Sequence, residues 1–295
     1  MNNYRGAYTA IVTPFTQNGA VDEEALRALI EAQIAGGIDG IVPCGTTGES
    51  PTLSHEEHNH VVELTVKFVA GRCKVIAGTG SNSTAEAIEL TQEAQRAGAD
   101  ASLQVAPYYN KPTQEGLYQH FRAVAEQGGL PILIYDIPGR TGVGVSIDTI
   151  TRLRRDLPER VIGLKEATGT TDRISQLRAL VGDDFAILSG DDSLTLPMMS
   201  VGADGVISVA SNLLPREVSD MVHAALDADF VQARELHMRL APAFKDLFIE
   251  TNPIPIKAAM AMAGRIQETY RLPLSPMAAA NRARLEETLR KGGFL

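Results

Sequence analysis

The chain has 295 residues, 44% of them hydrophobic, with 27 basic against 36 acidic side chains and a formal charge of −9. Such a chain buries a large core, which excludes intrinsic disorder, and the lack of any Lys/Arg-rich run argues against a nucleic-acid or anionic-membrane surface. Two cysteines, Cys44 and Cys73, are too few for a disulfide scaffold; with no signal-like start and no membrane-length apolar run, a reduced cytoplasmic protein is expected.

Short apolar runs predict strands at 7–12, 40–43, 74–77, 101–105, 131–135, 161–165, 185–188 and 205–209. Amphipathic stretches lie between them, such as 22–35 with Leu26, Leu29, Ile30 and Ile34 on one face. Ser54 with Glu57, and Ser83 with Glu86, have the spacing of capping boxes. A junction recurs at Gly37-Ile38-Asp39, Gly98-Ala99-Asp100 and Gly202-Ala203-Asp204, where a helix ends on Gly and a strand follows. Strand then helix, eight times over, predicts an α/β fold of the (β/α)8 TIM-barrel type. A doubly wound sheet fits less well. The stretches 230–248, 254–263 and 276–289 then read as helix only. The expected division is a catalytic barrel over 1–228 and a helical appendage over 229–295.

In such a barrel the chemistry sits at the C-terminal ends of the strands. The second strand runs into Gly45-Thr46-Thr47-Gly48-Glu49, whose N–H groups and hydroxyls suit a small carboxylate. The fourth ends near Tyr108 and Tyr109. The fifth ends in Tyr135, a proton-relay candidate, followed by Arg140, which could clamp a carboxylate. The sixth ends in Lys165, with Gly163 two residues earlier leaving room for its stem. A lysine withdrawn from water becomes a neutral amine, the nucleophile of Schiff-base chemistry. The bland alternative pairs Lys165 with Glu166. The seventh gives Ser189-Gly190-Asp191-Asp192, readable as a cap for the next helix.

Two apparent motifs fail. His55-Glu56-Glu57-His58 lacks the spacing of a zinc-binding His-Glu-x-x-His, because position 59 is Asn, and His60 lies on another face of the helix. Gly78-Thr79-Gly80 has Ser83 where a dinucleotide loop needs Gly. No metal is expected.

Nearly the whole chain resembles the dihydrodipicolinate synthase family, within the pyruvate-dependent class I aldolase (N-acetylneuraminate lyase) superfamily. The motifs are GTTGES at 45–50, APYYNKP at 106–112, YDIPGRT at 135–141, GLKEATG at 163–169, SGDD at 189–192, GVISV at 205–209 and NPIPIK at 252–257. The resemblance implies a lyase that condenses pyruvate with L-aspartate 4-semialdehyde, the first committed step of the diaminopimelate route to L-lysine. It implies a pyruvate Schiff base on Lys165 and no other cofactor. Tyr135, Thr46 and Tyr109 would relay protons, with Tyr109 lent by a neighbouring subunit of a homotetramer built as a dimer of dimers. Thr46 and Thr47 would hold the pyruvate carboxylate, Arg140 the carboxylate of the second substrate, and Gly190 and Ile207 would line the pocket. It also implies an L-lysine inhibitor site at Ser50, Pro51, His55, His58, Asn82, Glu86 and Tyr108; the local alternative is that Ser83–Glu86 only caps a helix and that His55 and His58 sit on an exposed first helical turn. Asp136 stands where the family usually has Asn, and strand alternation predicts that it points away from Tyr135. The alternatives are another pyruvate-dependent aldolase acting on a sugar-acid or hydroxy-oxo-acid, or a non-catalytic barrel that binds small acids.

Overall fold

The computed structural model describes residues 4–295. Eight parallel strands close into a barrel in sequence order: β1 (Gly6–Ala10), β2 (Gly40–Val42), β3 (Lys74–Gly78), β4 (Ala101–Val105), β5 (Ile132–Asp136), β6 (Val161–Glu166), β7 (Ala186–Ser189) and β8 (Gly205–Ser208). β8 returns to pair with β1, so the sheet has no edge. All eight predicted strands are present, displaced by at most two residues at their ends.

The outer ring begins with α1 (Glu23–Ala35), α2 (His55–Val69), α3 (Thr84–Ala97) and α4 (Gln114–Gln127). It continues with the single turn α5 (Pro138–Thr141), then α6 (Ile147–Asp156), α7 (Thr171–Val181), α8 (Thr195–Met199) and α9 (Pro215–Leu226). Three more helices follow, α10 (Phe230–Asp246), α11 (Ile254–Met262) and α12 (Ala279–Lys291), so the expected helical tail is present. Among the described residues no helix is long and apolar enough to cross a membrane.

Two apolar layers hold the ring together. Between strands and helices lie residues such as Ile41, Phe121, Ile134 and Leu164, all fully buried. Inside the barrel a second cluster includes Tyr8, Ile76, Leu133, Tyr135, Leu188 and Ile207. Tyr8 needs the glycine opposite it, because a Cβ on Gly40 would lie 2.4 Å from its ring. This filling closes the barrel's lower end and confines the chemistry to its mouth.

Helix starts follow the sequence closely at Ser54, whose side chain accepts the Glu57 N–H while Glu57 reaches back to the Ser54 N–H. At Ser83 only half of the expected box forms. Ser83 accepts the Glu86 N–H, but the Glu86 carboxylate turns to Ser81 and His55 instead.

The Gly-x-Asp junctions do more than turn the chain. Gly37, Gly98 and Gly202 take the left-handed backbone, with φ of +82°, +93° and +113°. The aspartate that follows bolts two strands together. Asp39 gives its N–H to Ala7 O at 2.8 Å and accepts the Ala7 N–H at 2.8 Å. Asp100 does the same with Val75, and Asp204 with Ile187. Each carboxylate also meets a basic side chain: His223 at 2.9 Å, Lys74 at 2.7 Å and Arg178 at 2.5 Å respectively. The bolts join β1 to β2, β3 to β4 and β7 to β8 at the end of the barrel away from the site.

Candidate active site

β5 and β6 place Tyr135 directly beside Lys165 in the sheet. Both point inward, because strand alternation sends Asp136 and Glu166 out into the helix layer. Lys165 is 6% exposed, and its Nζ lies 4.3 Å from the centroid of the Tyr135 ring. Glu166 does not pair with it; that carboxylate binds Arg173 at 2.8 Å. Burial presses the Lys165 amine down to about 8; the Asp192 carboxylate opposes this and the Arg140 charge adds to it. Burial pushes the Tyr135 phenol up to about 12, against the Arg140 charge and a hydrogen bond with Thr46. The barrel thus holds a readily freed amine against a phenol that keeps its proton.

Gly190, not Gly163, makes room for the lysine stem. A Cβ on Gly163 would strike Ala186 O at 2.8 Å, whereas one on Gly190 would stand 3.2 Å from Lys165 Cε. The loop after β7 also divides its two aspartates. Asp191 caps the turn, accepting the N–H of Ser193 at 2.9 Å. Asp192 is buried, taking the Ser208 hydroxyl at 2.5 Å and the N–H groups of Val209 and Ala210 at 3.1 and 3.0 Å. Burial raises its carboxyl above the usual range. Asp192 therefore acts on Lys165 by its charge, a task the reading of this segment as a helix cap missed.

The cradle after β2 is narrower than its sequence suggests. The N–H groups of Gly48 and Ser50 close on Gly45 O, and that of Glu49 on Thr46 O. Among the described residues the N–H groups of Thr46 and Thr47 have no protein acceptor. The helical tail braces this loop. Asn252 donates its side-chain amide to Thr47 Oγ1 at 3.0 Å, while its carbonyl accepts from Arg140 at 3.1 Å. Lys257, fully buried on α11, meets Glu49 at 2.5 Å and donates to Thr13 O at 3.2 Å. Sequence reasoning missed both roles. A lone lysine inside the apolar run of α11 was the available signal, since a buried ammonium needs a carboxylate.

Thr46, Tyr135, Ile137 and Arg140 line one cavity of about 410 Å3. That volume suits a small ligand. Ile207 lies in the packed cluster behind Tyr135. Tyr109 is 90% exposed and stands outside this cavity.

The cavity runs on to Ser50, Pro51, His55, His58, Glu86 and Tyr108, six of the residues expected to form an inhibitor site. His55 Nε2 meets Glu86 at 2.8 Å. Asn82 holds the Tyr108 carbonyl at 3.1 Å. His58 lines the cavity as expected, but its side chain is not exposed. It is 4% exposed, and its Nε2 is taken by Gly78 O at 2.8 Å. Its place on α2 faces β3, not solvent, so it supports the wall and offers no free ring nitrogen to a ligand at Nε2. The third histidine of this run, His60, pairs with Glu23.

Residues 3–292 match the sequence profile of the dihydrodipicolinate synthetase family. The chain belongs to this family. It is 53% identical over 292 residues to the 4-hydroxy-tetrahydrodipicolinate synthase of Nitratidesulfovibrio vulgaris (strain DP4), covering 99% of each chain. It is similar to the crystal structure of dihydrodipicolinate synthase from Aquifex aeolicus, with a TM-score of 0.96, 53% identity and 99% of each chain covered. DHDPS from Cyanidioschyzon merolae with lysine bound is 40% identical, with a TM-score of 0.96 and both chains covered completely. The dihydrodipicolinate synthetase family thus accounts for the barrel and for the helical tail that braces its mouth.

Proposed function

We propose that this lyase condenses pyruvate with L-aspartate 4-semialdehyde through a Schiff base on Lys165, in lysine biosynthesis by the diaminopimelate route. The observation that carries the reading is Lys165 itself, a buried amine near neutrality beside Tyr135, with no carboxylate hydrogen-bonded to it among the described residues. The free amine attacks the keto carbon of pyruvate, and water leaves to give the imine. Tyr135 and Thr46 hand on the protons that addition and dehydration move. The N–H groups and hydroxyls of Thr46 and Thr47 take the pyruvate carboxylate. Loss of a methyl proton gives the enamine, whose carbon attacks the aldehyde. The amino group of the second substrate then closes on the imine carbon and releases Lys165. Arg140 receives the second carboxylate, while Gly190 packs against the Lys165 stem and Ile207 is packed in the cluster that holds Tyr135. No other cofactor enters this scheme.

Tyr109 completes the relay of a neighbouring subunit in a cytoplasmic homotetramer, a dimer of dimers. Its near-complete exposure outside its own cavity supports this. L-lysine acts as an inhibitor at the His55–Glu86–Tyr108 end of the cavity, where the Glu86 carboxylate suits an ammonium group.

Pyruvate and borohydride should add a covalent mass to the Lys165 peptide; absence of that mass would remove every aldolase reading. Turnover of aspartate semialdehyde, compared with that of sugar aldehydes, decides between the synthase and a sugar-acid aldolase. Initial rates unchanged by millimolar L-lysine would sink the inhibitor site, and sedimentation of a monomer would sink the shared tyrosine.

A further inference from the structure

The β5–β6 pair carries both reacting residues, yet it lacks the aspartate bolt found on β1–β2, β3–β4 and β7–β8. Arg160 stands just before β6, where Asp39, Asp100 and Asp204 stand before β2, β4 and β8. Its carbonyl accepts the Ile132 N–H at 2.7 Å, and the register shifts immediately above, between Ile132 and Leu133. The lower end of this pair is therefore its irregular end.

The upper end has a different fastening. Asp136 and Glu166 are the residues after Tyr135 and Lys165, and they face each other across the pair. Both side chains are fully buried. Arg173, in the first turn of α7, lies across them, with Nη2 to Asp136 at 2.7 Å and Nε to Glu166 at 2.8 Å. Its Nη2 also donates to Val145 O at 2.5 Å. The outer lone pairs are filled by backbone, Val145 N–H on Asp136 at 3.2 Å and Thr168 N–H on Glu166 at 2.7 Å. A guanidinium is planar and forked, so it fixes two carboxylates in both distance and direction, which an ammonium cannot.

We infer that Arg173 is a positioning residue: by gripping Asp136 and Glu166 it sets the spacing of Tyr135 and Lys165 on the opposite face of the same two strands. Each gripped carboxylate is one peptide unit from a reacting side chain, so a shift of the clamp passes directly to the amine and the phenol. A displacement of about 1 Å at reacting groups can cost roughly 100-fold in rate. The inference rests on the proposed roles of Lys165 and Tyr135.

The test uses the full chain and pyruvate, with borohydride quenching and mass measurement of the Lys165 peptide, beside steady-state rates. Wild-type protein that takes up no mass at Lys165 overturns the proposed function, whatever Arg173 does. With wild-type labelling established, two variants decide the clamp. Arg173→Lys keeps the charge and loses the fork. The triple variant Asp136→Asn/Glu166→Gln/Arg173→Met removes all three charges together, so no unpaired charge is left buried. In each, the circular dichroism spectrum should stay native, kcat and the labelling rate should fall at least about ten-fold, and pyruvate KM should stay within about two-fold, because the Thr46–Thr47 cradle is untouched. A purely structural network would lower the melting temperature and leave kcat of the folded protein alone. Wild-type kcat in the triple variant, or in Arg173→Lys, overturns the inference.

Discussion

The titration of Lys165 yields the sharpest prediction. Imine formation uses the free amine, so its rate follows the fraction of amine without a proton. Burial brings Lys165 from the ordinary 10.5 to about 8, which at pH 7 leaves roughly 300 times more free amine than a solvated lysine has. The labelling rate should climb about ten-fold per pH unit below pH 7, bend near pH 8 and be nearly flat by pH 9. Asp192→Asn moves the bend. Its negative charge favours the ammonium form, so removing it pushes the bend to lower pH. The asparagine oxygen still accepts the N–H groups of Val209 and Ala210, and the loop should hold its shape. The variant should therefore label faster than wild type at pH 7, a gain that simple damage to the fold does not produce. The assay is rapid mixing with pyruvate, borohydride quenching at timed intervals and mass measurement of the Lys165 peptide. A wild-type rate still rising ten-fold per unit at pH 9 refutes the desolvated amine. A bend that Asp192→Asn leaves in place, or moves upward, refutes the electrostatic link.

Other outcomes follow from single contacts. Gly190→Ala puts a methyl 3.2 Å from Lys165 Cε and 2.8 Å from Ala167 Cβ, so labelling should slow and stability fall by about 1–3 kcal/mol; wild-type labelling at a normal melting temperature would refute the packing. Asn252→Ala removes one hydrogen bond to Thr47 and should raise pyruvate KM roughly five-fold, for about 1 kcal/mol, with KM the quantity to measure. His223 is raised above its ordinary value, chiefly by its bond to Asp39, so it stabilises the fold at low pH and loses that effect as pH rises through its folded value. Urea midpoints of wild type and His223→Gln should then differ more at pH 5.5 than at pH 8.5; an equal gap would count against the pair.

What was legible in the sequence was local. Each strand is a short apolar run with turn residues beside it, and Lys165 and Tyr135 stand at the ends of two such runs. That placement, with the rule that barrel chemistry lies at strand ends, was enough to pick them out. Alternation also sent Asp136 outward, away from the substrate. What stayed hidden depends on partners far along the chain. Arg140 meets Asn252 across 112 residues, and Lys257 meets Glu49 across 208. No spacing rule reaches that far. Gly163 was credited with the space that Gly190 provides, because the lysine stem leans toward β7 and not along its own strand. His58 was taken as exposed because helix periodicity shows that a face exists but not which neighbour covers it.

The three aspartate bolts have a consequence for how the chain folds. They span only 32, 25 and 17 residues, from Ala7 to Asp39, Val75 to Asp100 and Ile187 to Asp204. Short loops close with little entropy loss, so each bolted strand pair can form early and alone. The seam between β1 and β8 is different, for the contact of Thr9 with Ser211 spans 202 residues. It must wait until the whole ring is in place. Pulsed hydrogen exchange during refolding should protect the amides of Ala7, Val75 and Ile187 before that of Gly6, which bonds to Asp204 across the seam. Simultaneous protection of all four would mean that the ring closes in one step and that the bolts only lock what has already formed.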